Sequence, residues 1–200
     1  MAINLANNNS LANITALPSS ITGGAMTLIS EQTASSSATI SFTSGIDDTY
    51  DKYVFKFYDI HPATDGAGFQ VNFRDGGTAY DATKTTTVFR AIHNEAGDTN
   101  GLTYSDFMDQ AQSTGIQAIS TSLGADADQQ LSGTMQLFSP ASTTFVKHFM
   151  TDTNMYSNSN FSVRYFVAGF CNVTAAIDGI QFSMSSGNID SGVIKMYGVS

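Results

Sequence analysis

Apolar residues in this chain recur with a period of two, and no other feature constrains its fold as strongly. Phe69, Val71 and Phe73 alternate with Gln70, Asn72 and Arg74, while Ile180, Phe182 and Met184 alternate with Gln181 and Ser183. Successive side chains of a strand point to opposite faces, so these runs read as strands buried on one face. Tyr53, Phe55 and Phe57 share one face of a further strand, with Lys52 and Lys56 on the other. Strand-like runs also occupy Met26–Thr33, Ala38–Thr43, Thr85–His93, Leu102–Phe107, Leu131–Phe138, Phe145–Thr151, Phe161–Asn172 and Ile189–Val199. The signal is weakest over Gln110–Asp128, where a short strand is predicted near Ile116–Thr121. No stretch supports a helix longer than about two turns.

The turn chemistry organises these runs. Ser35-Ser36-Ser37 predicts a hairpin between the first two strands, and Ser186-Gly187-Asn188 predicts a hairpin on which the chain closes. Phe161–Asn172 and Ser191–Val199 are apolar on both faces, as central strands are. About ten strands joined by short turns predict an all-β, antiparallel two-sheet β-sandwich, jelly-roll-like, over residues 25–200. No internal repeat suggests a solenoid or a propeller.

Residues 1–24 differ from the rest. MAINLANNNSLANITALPSSITGG carries no charged side chain. Leu5, Leu11, Ile14, Leu17 and Ile21 are spaced through it, and Pro18 forbids a helix of any length. The segment is predicted to be an extended N-terminal arm that docks on a partner. It lacks a basic region followed by an unbroken apolar one, so a signal peptide is not expected. With no run of about 18 apolar residues, membrane insertion is not expected either.

Composition narrows the function. Hydrophobic residues make up 42% of the chain, enough for a real core, while charged residues make up only 12%. A surface built from Ser, Thr, Asn, Gln and Gly packs readily against other subunits, because few charges need desolvating. The net charge of −9, with no basic run, argues against nucleic-acid binding and against anionic membranes. Cys171 is the single cysteine, so it forms no internal disulfide and is predicted to be a buried, inert thiol.

No constellation carries catalysis. There is no G-x-S-x-G elbow, and His61, His93 and His148 sit in dissimilar settings. The carboxylates Asp47, Asp48, Asp65, Asp75, Asp126 and Asp128 fall in loops, where such residues usually bond their own backbone. Calcium is the one metal they would suit, yet the EF-hand spacing is absent, and no metal site or cofactor is predicted. Gly66-Ala67-Gly68 opens a strand, which is the wrong context for phosphate binding. Trp, the best platform for sugars, is missing. Tyr80, Tyr104 and Tyr156 lie in or beside loops and are candidate receptor or glycan contacts; anchoring the loops to the sandwich is the competing role.

Two segments carry a likeness. Thr15–Ile21 (TALPSSI) leading into Met26–Ser30 and Ala38–Phe42 resembles the entry to β-modules of tailed-phage fibre and appendage proteins. Tyr53–Asp65 (YVFKFYDIHPATD) and Ser186–Gly198 (SGNIDSGVIKMYG) are similar to a family of small virion proteins of marine tailed phages, including those of cyanobacteria. The resemblance implies a structural protein of the virion in a fibre, tail or capsid-decorating position, with no catalytic motif to carry over. The sequence has no coiled-coil or repeat shaft of the kind long fibres have. A standalone knob is therefore expected, mounted on other virion proteins by its arm, assembled as a homo-oligomer (a trimer first) and possessing distal loops free to meet host-surface glycan. A carbohydrate-binding module acting alone is the alternative, and a glycan-cleaving enzyme the third. Deleting residues 1–24 is expected to leave a cooperatively folded module that no longer joins the particle. Loss of the cooperative unfolding transition in the truncated chain would instead make the arm part of the core.

Overall fold

In a computed structural model, which describes residues 26–200, the chain forms twelve strands. They are β1 (Thr27–Ser37), β2 (Thr39–Phe42), β3 (Lys52–Pro62), β4 (Phe69–Arg74), β5 (Lys84–Asn94), β6 (Asn100–Tyr104), β7 (Gln117–Ala118), β8 (Leu131–Phe138), β9 (Lys147–Tyr156), β10 (Phe161–Cys171), β11 (Gly179–Met184) and β12 (Ile189–Val199). Among the described residues there is no helix, and hence none long and apolar enough to cross a membrane. The predicted arm residues Leu5, Leu11, Ile14, Leu17, Pro18 and Ile21 lie outside the described residues.

The strands make two antiparallel sheets, an eight-stranded one in the order β1-β12-β3-β8-β9-β10-β5-β6 and a four-stranded one in the order β2-β11-β4-β7. The pairings β1–β12, β2–β11, β3–β8, β4–β7 and β5–β6 are nested within one another along the chain. They describe one long two-stranded ribbon that crosses from sheet to sheet as it winds, which is the jelly-roll path. The meander β8-β9-β10 widens the larger sheet. The predicted central strands β10 and β12 each have a neighbour on both sides.

Both predicted hairpins are corrected. β1 and β2 lie in different sheets, as do β11 and β12, so neither pair is joined by a ladder. The ribbon bends here instead: Ser37 faces Ile189 in the larger sheet, and Thr39 faces Ser183 in the smaller. Ser36 and Gly187 sit at the bend with φ of 47° and 69°. Glycine suits this position doubly, since a Cβ at Gly187 would stand 2.3 Å from Thr64 Oγ1. The Asn188 amide donates to the Ser36 carbonyl at 2.8 Å and ties the two corners together.

Period-2 alternation builds the core. Tyr53, Phe55 and Phe57 of β3 face Phe69, Val71 and Phe73 of β4 and Ile180, Phe182 and Met184 of β11 across the interior, all of them buried. The Phe182 ring lies 5.3 Å from Phe57, 5.6 Å from Phe69, 5.8 Å from Phe55 and 6.3 Å from Phe42. It thereby touches β2, β3 and β4 at once. Truncation of Phe182 to Ala is expected to cost about 3–5 kcal/mol in urea unfolding, and a near-zero cost would contradict the assigned register.

Candidate functional site

The outer face of the larger sheet is the most unusual surface of the molecule. Across β9, β10, β5 and β6, outward side chains line up as Asp152–Phe166–Phe89–Tyr104 and, one row along, as Asn154–Arg164–Ala91–Leu102. Phe89 and Phe166 stack at 4.7 Å, and Arg164 lies 4.5 Å over the Phe166 ring. The Arg164 fork donates to both Asp152 oxygens at 2.9 and 2.6 Å. Both partners of that pair are well exposed, so it orients the guanidinium more than it stabilises the fold. Leu102 is 72% exposed, Tyr104 54% and Met150 50%, and every residue of the edge strand β6 is exposed. Apolar exposure on this scale, at a sheet edge that no other described strand pairs with, marks an interaction surface.

A groove of about 370 Å³ closes one end of this face. Tyr156, Ser162 and His93 form a cross-strand row along it, and Asn154, Glu95 and Asp128 complete its walls. The Tyr156 hydroxyl donates to Glu95 Oε1 at 2.8 Å, and this bond is the main cause of a phenol pKa above its ordinary value. The Glu95 backbone N–H donates to the Asn160 carbonyl at 3.1 Å, which fixes the β9–β10 turn against the β5–β6 turn. Amides, a hydroxyl, an imidazole and an aromatic wall suit a neutral, hydroxyl-rich ligand. Glu95 and Asp128 are both solvent-exposed, without the apolar surroundings that give a glycosidase its acid.

The three tyrosines singled out by sequence do not converge. Tyr156 belongs to the groove. Tyr104 lies on the sheet edge and donates to Asp109, which raises its phenol pKa. Tyr80 sits at the opposite end of the sandwich, where its ring lies 5.9 Å from the Arg74 guanidinium and its carbonyl accepts from Asn72. Tyr80 is thus a loop anchor. The loop aspartates include one that bonds its own turn: Asp47 Oδ1 accepts from the Thr49 N–H at 2.9 Å, and the Thr49 side chain first, with this N–H second, holds its carboxyl below the ordinary range. Among the described residues no three His, Cys, Asp or Glu side chains converge as a metal site would require.

Two buried lysines escaped the sequence reading. Cys171 pairs with Lys84 on one side and Lys147 on the other, so the three side chains form one row across β5, β10 and β9, all fully buried. Lys84 Nζ donates to the carbonyls of Ala82 at 3.1 Å and Gly115 at 2.6 Å, and Lys147 Nζ to that of Val173 at 2.8 Å. They staple loops to the end of the sandwich. The available signal was phase: Lys84 alternates in step with Thr86 and Val88, and Lys147 with Phe149 and Thr151. Burial pushes the Cys171 thiol up to about 12, so it stays protonated and inert at neutral pH, as predicted.

No family model matches the chain, and no curated protein matches it. A solved structure from Bacteroides ovatus, described as a structural genomics protein of unknown function, is similar over 68% of this chain at 5% identity and a TM-score of 0.20. The chain spans 45% of the length of that structure. A likeness of this strength carries no argument about function.

Burial lowers the Lys84 pKa from 10.5 to about 8. Below pH 8 the lysine is charged in both states and the folded state bears the desolvation cost. From about pH 8 to 10.5 the unfolded chain holds the extra proton, so this group's contribution to stability rises with pH. The stability of the native chain relative to its Lys84→Met variant is therefore expected to rise over that window in urea unfolding, and a flat difference would contradict the burial of this charge.

Proposed function

We propose that this chain is a non-enzymatic structural protein of a bacteriophage virion, a surface knob docked through residues 1–24 and assembled as a homo-oligomer. The observation that supports the reading is the outward apolar strip of Phe89, Phe166, Leu102 and Tyr104 on the wider sheet of a chain with few charges. An exposed strip of this kind is buried most simply by a second copy. A ring of copies would pair it with a different surface of the neighbour, and a trimer is the smallest such ring. The likeness of Tyr53–Asp65 and Ser186–Gly198 to small virion proteins supplies the setting, and the distal turns at Asn94–Asn100 and Ser157–Asn160 would face the host.

A carbohydrate-binding module is the second reading, favoured by the Tyr156 groove with its amide and hydroxyl walls. In that case a monomer without residues 1–24 would bind sugars as well as the intact protein does. The test of the first reading combines light scattering with imaging of particles. The purified chain is expected to have about three times the monomer mass, and Leu102→Glu with Phe89→Glu to reduce it to a monomer that still unfolds cooperatively. Cryo-EM of the particle is expected to show the chain on its surface. A monomeric native chain, or particles that lack it, would contradict the proposal.

A further inference from the structure

Arg90 points inward from β5, opposite Tyr165 on β10, at the end where the larger sheet outreaches the smaller one. There the interior is covered by the loop after β7 and the β9–β10 turn, not by a strand. A cleft of about 200 Å³ remains between them. Its floor is apolar, with Ile92, Phe161 and Val163, and its rim carries the hydroxyls of Thr121, Ser122 and Ser159. No acidic residue lines it, in contrast to the neighbouring groove with Glu95 and Asp128.

The charge in this cleft has an aromatic neighbour but no anionic one among the described residues: the Arg90 guanidinium lies 5.9 Å from the centre of the Phe107 ring. Of the three arginines, Arg74 meets Asp178 at 2.8 Å and Arg164 meets Asp152 at 2.6 Å. Among the described residues Arg90 pairs with no carboxylate, in a chain that has 17 acidic residues to choose from. Its Nη1 donates to the Tyr165 hydroxyl at 3.3 Å, and that hydroxyl is shared with Thr121 at 2.8 Å. Its Nε is buried and has no hydrogen-bond partner. A buried donor left unmade is costly, and one on a guanidinium more so than a neutral one. A carboxylate entering the cleft would meet the guanidinium nitrogens that are not buried, and its planar geometry matches the Arg fork.

We infer that the Arg90 cleft is a binding site for a small carboxylate carried on a single ring. The carboxylate meets the guanidinium, one ring face lies on Ile92, Phe161 and Val163, and ring substituents reach the hydroxyl rim. The volume is below the roughly 300–1,000 Å³ of drug-sized sites and admits one ring, not a chain. Such a carboxylate occurs on the acidic sugars of surface polysaccharides and on free ring acids, and the hydroxyl rim favours the sugar. The inference stands apart from whether the chain belongs to a virion.

Calorimetric titration of the full chain with methyl glucuronide, benzoate and the neutral methyl glucoside tests it. At least one of the two carboxylates is expected to bind saturably, with the neutral glucoside binding about tenfold more weakly or not at all. Arg90→Gln is expected to weaken carboxylate binding by about tenfold or more. Arg90→Lys, which keeps the charge and loses the fork, is expected to weaken it as well and carries the test if the glutamine variant does not fold. Preference for glucuronide assigns the natural ligand to a polysaccharide, and preference for benzoate assigns it to a free acid. Absence of binding by both carboxylates, equal binding of the neutral glucoside, or affinity unchanged in both Arg90 variants would overturn the site.

Discussion

The fold depends on apolar contact between two sheets that share few covalent connections at any one place, and Phe182 is its centre. Its ring meets side chains from β2, β3 and β4, while its own strand pairs with β2 and β4 at the backbone. Aromatic pairs of this edge-on and offset kind contribute about 0.5–1.5 kcal/mol each beyond the area they bury. The contacts are long-range almost throughout, because a nested ribbon brings the first strands against the last. Closing those loops is entropically expensive before any packing offsets it, so the aromatic seam is what makes the nested pairing stable once formed.

The same alternation that fills the interior also decides the surface. On β10, Val163, Tyr165 and Val167 point in, and Arg164, Phe166 and Ala168 point out. A β10 with apolar side chains on both faces needs cover on both, and the smaller sheet supplies it on one face only. The exposed Phe89–Phe166 stack is the remainder, and the proposed oligomer is the simplest way to cover it. Charge follows a similar division. Lys84 and Lys147 are consumed as buried staples and Arg74 and Arg164 in ion pairs, which leaves Arg90 as the arginine that meets an aromatic ring but no carboxylate among the described residues.

Much of the fold was legible in the sequence, because one-sided burial writes itself directly into a period of two. The strands containing Phe55, Val71 and Phe182 fall where alternation puts them, and the strand containing Phe166, apolar on both faces, lies between two neighbours as such a strand does. The partners of β1 and β12 were not legible. A serine-rich break between two strands reads alike whether the chain reverses within one sheet or crosses to the other, and only the positions of Ile189 and Thr39 in opposite sheets distinguish the two. The sites were less legible still. Tyr156 was visible as a loop-flanking aromatic, yet Glu95 and His93 reach it only through the pairing of β5 with β10 and β10 with β9, and Asp128 only through that of β8 with β9. Arg90 shares its phase with Val88 and Ile92, but Phe89 and Ala91 make the opposite face apolar as well, so alternation alone does not say which of the two turns inward.

Native-state hydrogen exchange is the most direct measure of the central claim, that an inter-sheet aromatic seam makes the two sheets one cooperative body. Amides of β3 and β12 in the larger sheet and of β4 and β11 in the smaller are expected to exchange slowest and with a common opening free energy, with the edge strand β6 opening more easily. Separate opening free energies for the two sheets, or slow exchange confined to one of them, would contradict the account.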